Sequence, residues 1–291
     1  MTAPICRACG SAHVAHRGRK RGEFLRREFD FYACADCGLL FVEPFAGFEI
    51  YDDAYYRGQG PDPYVDYESE YRDWRRTDRG LEFDDLTCIA ETFFSSSEQL
   101  GATSLAPASN PATRYPLPAT RYSPLHWLDF GCGAGGFLKY LRERATLAGR
   151  PLALTGHDLG SYADLLARAD RFRILDLAAL EHEPAASYEI ISMIEVVEHL
   201  PEPAKALALI ARLLKPGGLL LLTTGNMAGP VARRQGIHYR YCAPEIHVSL
   251  FDPRSLGKLY AAVGLAPLAV RYDGVVRFKV VKSLRRRPLL R

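Results

Sequence analysis

Leu128-Asp129-Phe130-Gly131-Cys132-Gly133-Ala134-Gly135-Gly136-Phe137-Leu138 is the stretch that decides how this chain is read. An apolar run ends in an acid. Four glycines follow within six positions, and an amphipathic helical pattern begins at once. The pattern predicts a strand, a tight turn and a helix start. Glycines there let backbone approach a ligand, and a helix N-terminus offers unpaired N–H groups. Four glycines also cost backbone entropy that a purely structural turn does not require. Asp129 narrows the ligand, because a carboxylate repels a diphosphate and accepts hydrogen bonds from an amine.

Outward from this turn, short apolar strands alternate with helices from His126 onward, which implies a parallel sheet covered on both faces. Strands are expected at 126–130, 152–157, 172–175, 188–194 and 219–223. Helices are expected at 202–214 and 253–263. The second has Asp252 as N-cap, Pro253 in its first turn and Gly264 beyond its end. Two last strands, near 267–272 and 275–281, would turn at Asp273-Gly274. The fold class is α/β: a Rossmann-like, mostly parallel sheet of seven strands with helices on both faces.

Acids close four successive strands: Asp129, Asp158, Asp176 and Glu195. Open α/β sheets bind ligands beyond the carboxyl ends of their strands. After the second strand, Asp158 is placed to accept from both hydroxyls of a ribose. Asp176 is placed to accept from an adenine amino group, with the Leu177 N–H offered to a ring nitrogen. The match to G-x-G-x-x-G through Gly131, Gly133 and Gly136 also admits an NAD-binding oxidoreductase.

Near the start, Cys6-x-x-Cys9 and Cys34-x-x-Cys37 form two knuckles, each followed by a glycine. Two thiolates at this spacing grip one metal from a single turn, and two such turns complete a tetrahedral zinc site of structural type. The resulting ribbon would have short strands at 29–33 and 39–42 and a long basic tip carrying Arg17, Arg19, Lys20, Arg21, Arg26 and Arg27. That tip admits RNA as a partner, although Glu23, Glu28 and Asp30 interrupt it and a solvated hairpin is favoured.

Between ribbon and sheet, Tyr64, Tyr67, Tyr71 and Trp74 recur at spacings of three and four, which predicts one helix face acting as packing or as a lid. A Ser-, Ala-, Thr- and Pro-rich stretch follows, with the near-copies PATRYPL and PATRYSPL, and is expected to be a flexible loop. The expected organisation is a ribbon over 1–44, a helical linker or lid over 45–94, the loop over 95–124, the core over 125–283 and a basic tail over 284–291. The 291 residues are 48% hydrophobic and 24% charged, with a net charge of +3, which is globular composition without a strong nucleic-acid signature. No apolar run nears the roughly 20 residues of a membrane span, and a cytoplasmic location is expected.

The order D-x-G-x-G at Asp129 to Gly133 resembles the first motif of class I methyltransferases that use S-adenosylmethionine. Glu195-Val196-Val197-Glu198-His199-Leu200 is similar to the E-V-x-E-H motif after their fourth strand. Leu213-Leu214-Lys215-Pro216-Gly217-Gly218 and Glu245-Ile246-His247-Val248-Ser249-Leu250-Phe251 also resemble that family. With the cysteine knuckles, the chain looks like the zinc-bearing methyltransferases of sugar and polysaccharide biosynthesis, without the added C-terminal domain of the larger C-methylating ones. The resemblance implies S-adenosylmethionine and zinc as cofactors and a small-molecule or glycan-type acceptor methylated on oxygen or carbon. It implies cofactor contacts from Asp129, Gly131, Cys132, Gly133, Gly135, Asp158, Leu159, Asp176, Leu177 and Glu195. His199 and His247 are the candidate bases, with His238 behind them. An RNA methyltransferase gripping its substrate through the ribbon and Arg285-Arg286-Arg287 is the alternative within the same chemistry.

Overall fold

The computed structural model describes residues 4–61, 66–77, 79–103, 123–159 and 170–268. The cysteine-bearing segment forms strands β1 (Val14–Arg21), β2 (Glu28–Cys34) and β3 (Leu40–Glu43). β1 corrects the expected long tip, since residues 14–21 pair with β2 from Val14↔Cys34 to Arg21↔Glu28. Its sequence, VAHRGRKR, lacks the apolar alternation of a half-buried strand. The backbone ladder to β2 holds it in place.

Next come helix α1 (Tyr67–Arg72) and the long helix α2 (Arg79–Thr103). The expected four-residue aromatic face does not form one helix. Asp73 ends α1 and caps a separate 3-10 turn at Trp74–Arg76, so Tyr67, Tyr71 and Trp74 point to different neighbours. Tyr64 is outside the described residues. Helix α2 occupies the start of the stretch expected as a flexible loop, and residues 104–122 of that stretch are outside the described residues.

The core sheet contains β4 (Leu125–Phe130), β5 (Thr146–Leu147), β6 (Arg150–His157), β7 (Arg173–Leu175), β8 (Tyr188–Ile194) and β9 (Leu214–Thr223). Its parallel order is β7-β6-β4-β8-β9, with the short β5 antiparallel to β6. Six strands are therefore described. The two expected at 267–281 and the basic tail lie beyond Leu268, outside the described residues. Strand order reverses between β4 and β8, which places the ligand crevice at their carboxyl ends.

The pleat of β4 sorts its side chains into two cores. Leu125 and Trp127 pack with Phe83, Leu86 and Phe94 of α2 and with Phe137 and Leu141 of α3 (Gly136–Arg144). Leu128 and Phe130 face the opposite side, with Leu180 of α4 (Leu177–His182), Leu207 and Ile210 of α5 (Pro203–Leu213), and Leu259 of the last described helix. Helix α6 (Pro230–Gln235) and strand β10 (Ser249–Leu250) precede that last helix, α7 (Pro253–Ala262). Asp252 is the N-cap of α7, as its sequence predicts, and it also forms a capping box with Ser255. Among the described residues no helix is long and apolar enough to cross a membrane.

β10, which follows the core strands in the chain, pairs with the cysteine module and completes its sheet in the order β1-β2-β3-β10. Ser249 and Leu250 pair with Phe41 and Leu40, and the Val42 N–H donates to the Val248 carbonyl at 3.0 Å. Two further ties reach the same loop. Lys20 Nζ donates to the Cys242 carbonyl at 2.7 Å. The buried carboxylate of Glu245 accepts from the N–H groups of Phe24, at 3.0 Å, and Leu25. Removing that carboxylate leaves two backbone donors without their acceptor. Glu245→Ala is expected to lower unfolding stability by roughly 1–3 kcal/mol in urea titration. Hydrogen exchange should show the Phe24 and Leu25 amides losing protection while the β4 and β8 amides keep theirs.

Candidate active site

The glycine turn is locked against the end of β6. The N–H groups of Gly131 and Cys132 both donate to the His157 carbonyl, at 2.7 and 2.9 Å. Gly133 N–H donates to Asp158 Oδ2 at 2.8 Å. Gly131 and Gly133 have φ of 78° and 53°, a region that penalises a side chain. A Cβ on Gly131 would lie 2.4 Å from Val196 Cγ2, and one on Gly133 would lie 2.9 Å from Tyr67 Cδ1. At these two positions protein side chains make the close approach that the glycines lead one to expect of a ligand.

Asp129 is buried beside the turn. Ser192, its register partner on β8, donates Oγ–H to Asp129 Oδ1 at 2.7 Å. Burial pushes the Asp129 carboxyl up to about 7, partly offset by the Ser192 bond. Glu70 is raised to about 7 for the same reason, with Arg79 opposing. Arg79 stands at the start of α2 and pairs with Glu70 at 3.4 Å and Glu82 at 2.7 Å. Sequence reading missed Arg79 and Glu70, because each sits more than 50 positions from the glycine turn in an unremarkable helical pattern.

These groups line one cavity of about 600 Å³ at the carboxyl ends of β4, β6 and β8. Asp129, Gly131, Cys132, Gly133, Asp158, Leu159, Leu177, Glu195 and His199 all reach it. Asp176 is directed elsewhere: it caps α4, accepting from the Ala179 N–H at 2.7 Å. Gly135 is the left-handed N-cap of α3 and is not among the lining residues. An aromatic group from the segment before α2 covers the cavity, with Tyr51, Tyr55, Tyr56 and Tyr67 ring to ring at 4.9 to 6.0 Å. Tyr56 donates to Asp158 Oδ1 at 2.6 Å.

The opposite wall carries the E-V-V-E-H segment. His199 Nδ1 lies 2.9 Å from Tyr51 Oη and 3.1 Å from the Ile246 carbonyl. Burial lowers its pKa to about 4, so the ring is neutral at neutral pH. His247 stands behind it, with ring centroids 4.8 Å apart, and its Nδ1 is 2.6 Å from the Tyr241 carbonyl. His247 is not among the cavity-lining residues, whereas His199 is. Glu198 is fully buried and accepts from Tyr241 and, at 2.8 Å, from Thr224. Enclosure and mutual repulsion push the Glu195 carboxyl well up, and burial raises that of Glu198. His238 lies in the 3-10 turn Gly236–His238, and it too is absent from the lining.

In the N-terminal module, Cys6, Cys9, Cys34 and Cys37 bring their Sγ atoms within 4.8 Å of one another. The pairs Cys6–Cys37 and Cys9–Cys34 are 3.5 and 3.6 Å apart. A tetrahedron of thiolates at zinc–sulfur distances near 2.3 Å has edges of about 3.8 Å, so the four atoms fit that ion. Burial alone would raise the Cys34 thiol, but the N–H groups of Cys37 and Asp36 and neighbouring thiols bring it down to about 7.

Two rival readings meet obstacles here. A diphosphate would need the N-terminus of α3, but a Cβ on Gly136 would lie 2.6 Å from Glu70 Oε1, so a carboxyl oxygen already stands over that turn. A nucleic-acid grip would need the basic strand free, yet Arg19 is paired to Asp30 by two bonds of 2.9 Å and Lys20 is spent on the Cys242 carbonyl.

A family model described as a methyltransferase domain matches residues 106–270. Over 102 residues the chain is 34% identical to the ubiquinone biosynthesis O-methyltransferase of Paracidovorax citrulli, covering 34% of this chain and 43% of that one. Over 157 residues it is 25% identical to the enzyme of that name from Idiomarina loihiensis, covering 49% and 62%. The chain thus spans about half the length of the curated relatives it matches. Among solved structures, an S-adenosylmethionine-dependent methyltransferase from Mesorhizobium loti is 20% identical, with 58% and 89% covered and a TM-score of 0.42.

Filling the glycine turn tests its packing. Gly131→Ala combines a disfavoured φ with a clash at Val196 and is expected to cost more than about 1 kcal/mol, measured by urea unfolding. Gly149→Ala is the contrast: it also has a positive φ, 70°, but a Cβ there meets nothing within 4 Å, so it should cost less.

Proposed function

This chain belongs to the methyltransferase-domain family, and we propose that it moves a methyl group from S-adenosylmethionine to an oxygen or carbon of a small-molecule or glycan-type acceptor. The observation that carries the reading is the single cavity on which Asp129, the glycine turn, Asp158 and His199 converge. S-adenosylmethionine supplies a methyl group already activated on a positively charged sulfur. The protein's task is therefore alignment and exclusion of water. In this reading Asp129 accepts from the cofactor's amino group and Arg79 faces its carboxylate. Asp158 takes the ribose hydroxyls, exchanging the Tyr56 hydroxyl for them. Leu159 and Leu177 flank the base, with Asp176 holding α4 beneath it. Cys132 and Gly135 shape the turn, and Glu195 bounds the cofactor edge.

His199 and His247 belong to the acceptor side. The name of the curated relatives and the tyrosine-rich lining favour oxygen on an acceptor with apolar ring surface. Residues 1–44 form a structural zinc ribbon through Cys6, Cys9, Cys34 and Cys37, residues 45–94 a lid, and residues 125–283 the methyltransferase core.

Calorimetry with S-adenosylhomocysteine and, separately, NAD tests the cofactor. S-adenosylhomocysteine should bind with one site per chain; binding of NAD alone would end the proposal. Asp158→Ala should weaken S-adenosylhomocysteine about 10- to 100-fold, the loss expected for hydrogen bonds to a charged group.

The pH dependence follows from Asp129. Its carboxyl is protonated below about 7 in the free protein, and an ammonium ligand selects the ionised form. Affinity should therefore fall about tenfold per pH unit below 7, level off above it, and be nearly flat in Asp129→Asn. Binding at pH 6 should release a proton, seen as a heat that varies with the buffer.

Elemental analysis should find one zinc per chain, lost in Cys34→Ser. Chelation should lower the melting temperature, and a chain free of zinc with unchanged melting would reject the ribbon.

A further inference from the structure

The cavity extends over the sheet face that carries α4 and α5. Phe130, Leu200 and Leu209 pack with the core on that face and also line the cavity. Leu159 and Leu177 line it too, and they are 52% and 43% exposed. Among these apolar groups stands one buried polar side chain, His157, the last residue of β6, which is 2% exposed. The charged lining residues of this part, Glu181, Glu202 and Lys205, are all exposed.

The place of His157 follows from strand register. It is the register partner of Leu175 on β7, and its Nδ1 lies 2.9 Å from the Leu175 carbonyl. Leu159 and Leu177 each come two residues further along the chain. The Phe130 ring lies against the imidazole, with centroids 4.7 Å apart. A carbonyl only accepts, so Nδ1 carries the hydrogen and the lone pair is on Nε2. Burial lowers the pKa of the ring, which is therefore neutral at neutral pH. Nε2 can then only accept, and among the described residues none donates to it. A buried acceptor in apolar surroundings is costly until a donor reaches it. Asp176, the acid whose sequence position predicts an adenine contact, is exposed, caps α4 and is not among the lining residues.

We infer that His157 reads the exocyclic amino group of the cofactor's adenine and sets the base specificity of the site. The inference rests on the S-adenosylmethionine reading. In it Asp158 holds the ribose, and the residue before it offers the base a neutral acceptor between apolar walls. An amino group can donate to Nε2. A carbonyl at the same ring position, as in hypoxanthine or guanine, would set two acceptors against each other. The site would thus take adenosyl ligands and refuse inosyl ones. His157 is a specificity-determining residue, since neither the methyl group nor a proton passes through it.

Calorimetry on the full chain compares S-adenosylhomocysteine with S-inosylhomocysteine, in which a carbonyl replaces the amino group. Wild type should prefer the adenosyl compound by about 10- to 100-fold, the range for a buried hydrogen bond made or left unmade. His157→Phe keeps a ring against Phe130 and removes the acceptor, so the ratio should fall toward one. Asp176→Asn should keep the ratio, because asparagine also caps a helix. A histidine with a structural role alone would move both affinities together and leave the ratio unchanged. Equal binding by wild type, an unchanged ratio in His157→Phe, or a preference lost in Asp176→Asn overturns the assignment. If circular dichroism shows His157→Phe unfolded, the ratios of wild type and Asp176→Asn decide in the same way. Wild type that binds neither compound would instead overturn the S-adenosylmethionine reading itself.

Discussion

The pairing of Ser249 and Leu250 with Phe41 and Leu40 is the constraint through which the molecule's two halves act on each other. It involves only two residues in each strand, yet it seats the cysteine module's sheet beside the segment 239–250. That segment carries Tyr241, whose hydroxyl serves Glu195 and Glu198, and His247, whose ring lies against His199. The N–H of Val248 donates to the Glu198 carbonyl at 2.8 Å, and Ser249 Oγ–H donates to the Leu200 carbonyl at 2.8 Å. The same short strand is thus clamped by the module on one side and by the E-V-V-E-H turn on the other. The four-cysteine module and the E-V-V-E-H wall of the cavity are thus held by one short strand, although they share no side chain.

A second constraint is desolvated charge. Asp129, Glu70, Arg79 and Glu195 line one cavity with Glu198 beside Glu195, and burial works against ionisation of each of them. A surface this expensive to dry contributes little to stability by itself. It becomes useful when a ligand brings complementary charge to it. Cavity formation and ligand binding then draw on the same interactions, and the tyrosine cover keeps water from satisfying them first.

What was legible in the chain follows from distance along it. Asp129 and Asp158 lie at the carboxyl ends of β4 and β6, the strand-end positions expected of them, because a strand, its terminal acid and the next turn are contiguous in sequence. The cysteine knuckles are legible for the same reason. Asp176 shows the limit of that logic: an acid between a strand and a helix suits both a ligand and an N-cap, and local sequence does not separate them. Strand β1 was hidden because its stability comes from a ladder to β2, not from its own alternation. Arg79, Glu70, Tyr51 and Tyr56 were illegible as cavity-lining residues, since only the way their segments pack over the β4–β8 crevice brings them to it.

The glycine turn illustrates how structure changes the meaning of a motif. From sequence, four glycines argue for a ligand that needs bare backbone. In the folded chain, Val196 and Tyr67 occupy the spaces where Gly131 and Gly133 would carry Cβ atoms, and Glu70 stands over Gly136. The turn is compact so that α1 and the β8 end can close upon it. That closure supplies the tyrosine cover and brings Glu70 and Arg79 to Asp129. The glycines thus permit a fit of protein against protein as well as lining the cavity, and that fit builds its charge-lined wall.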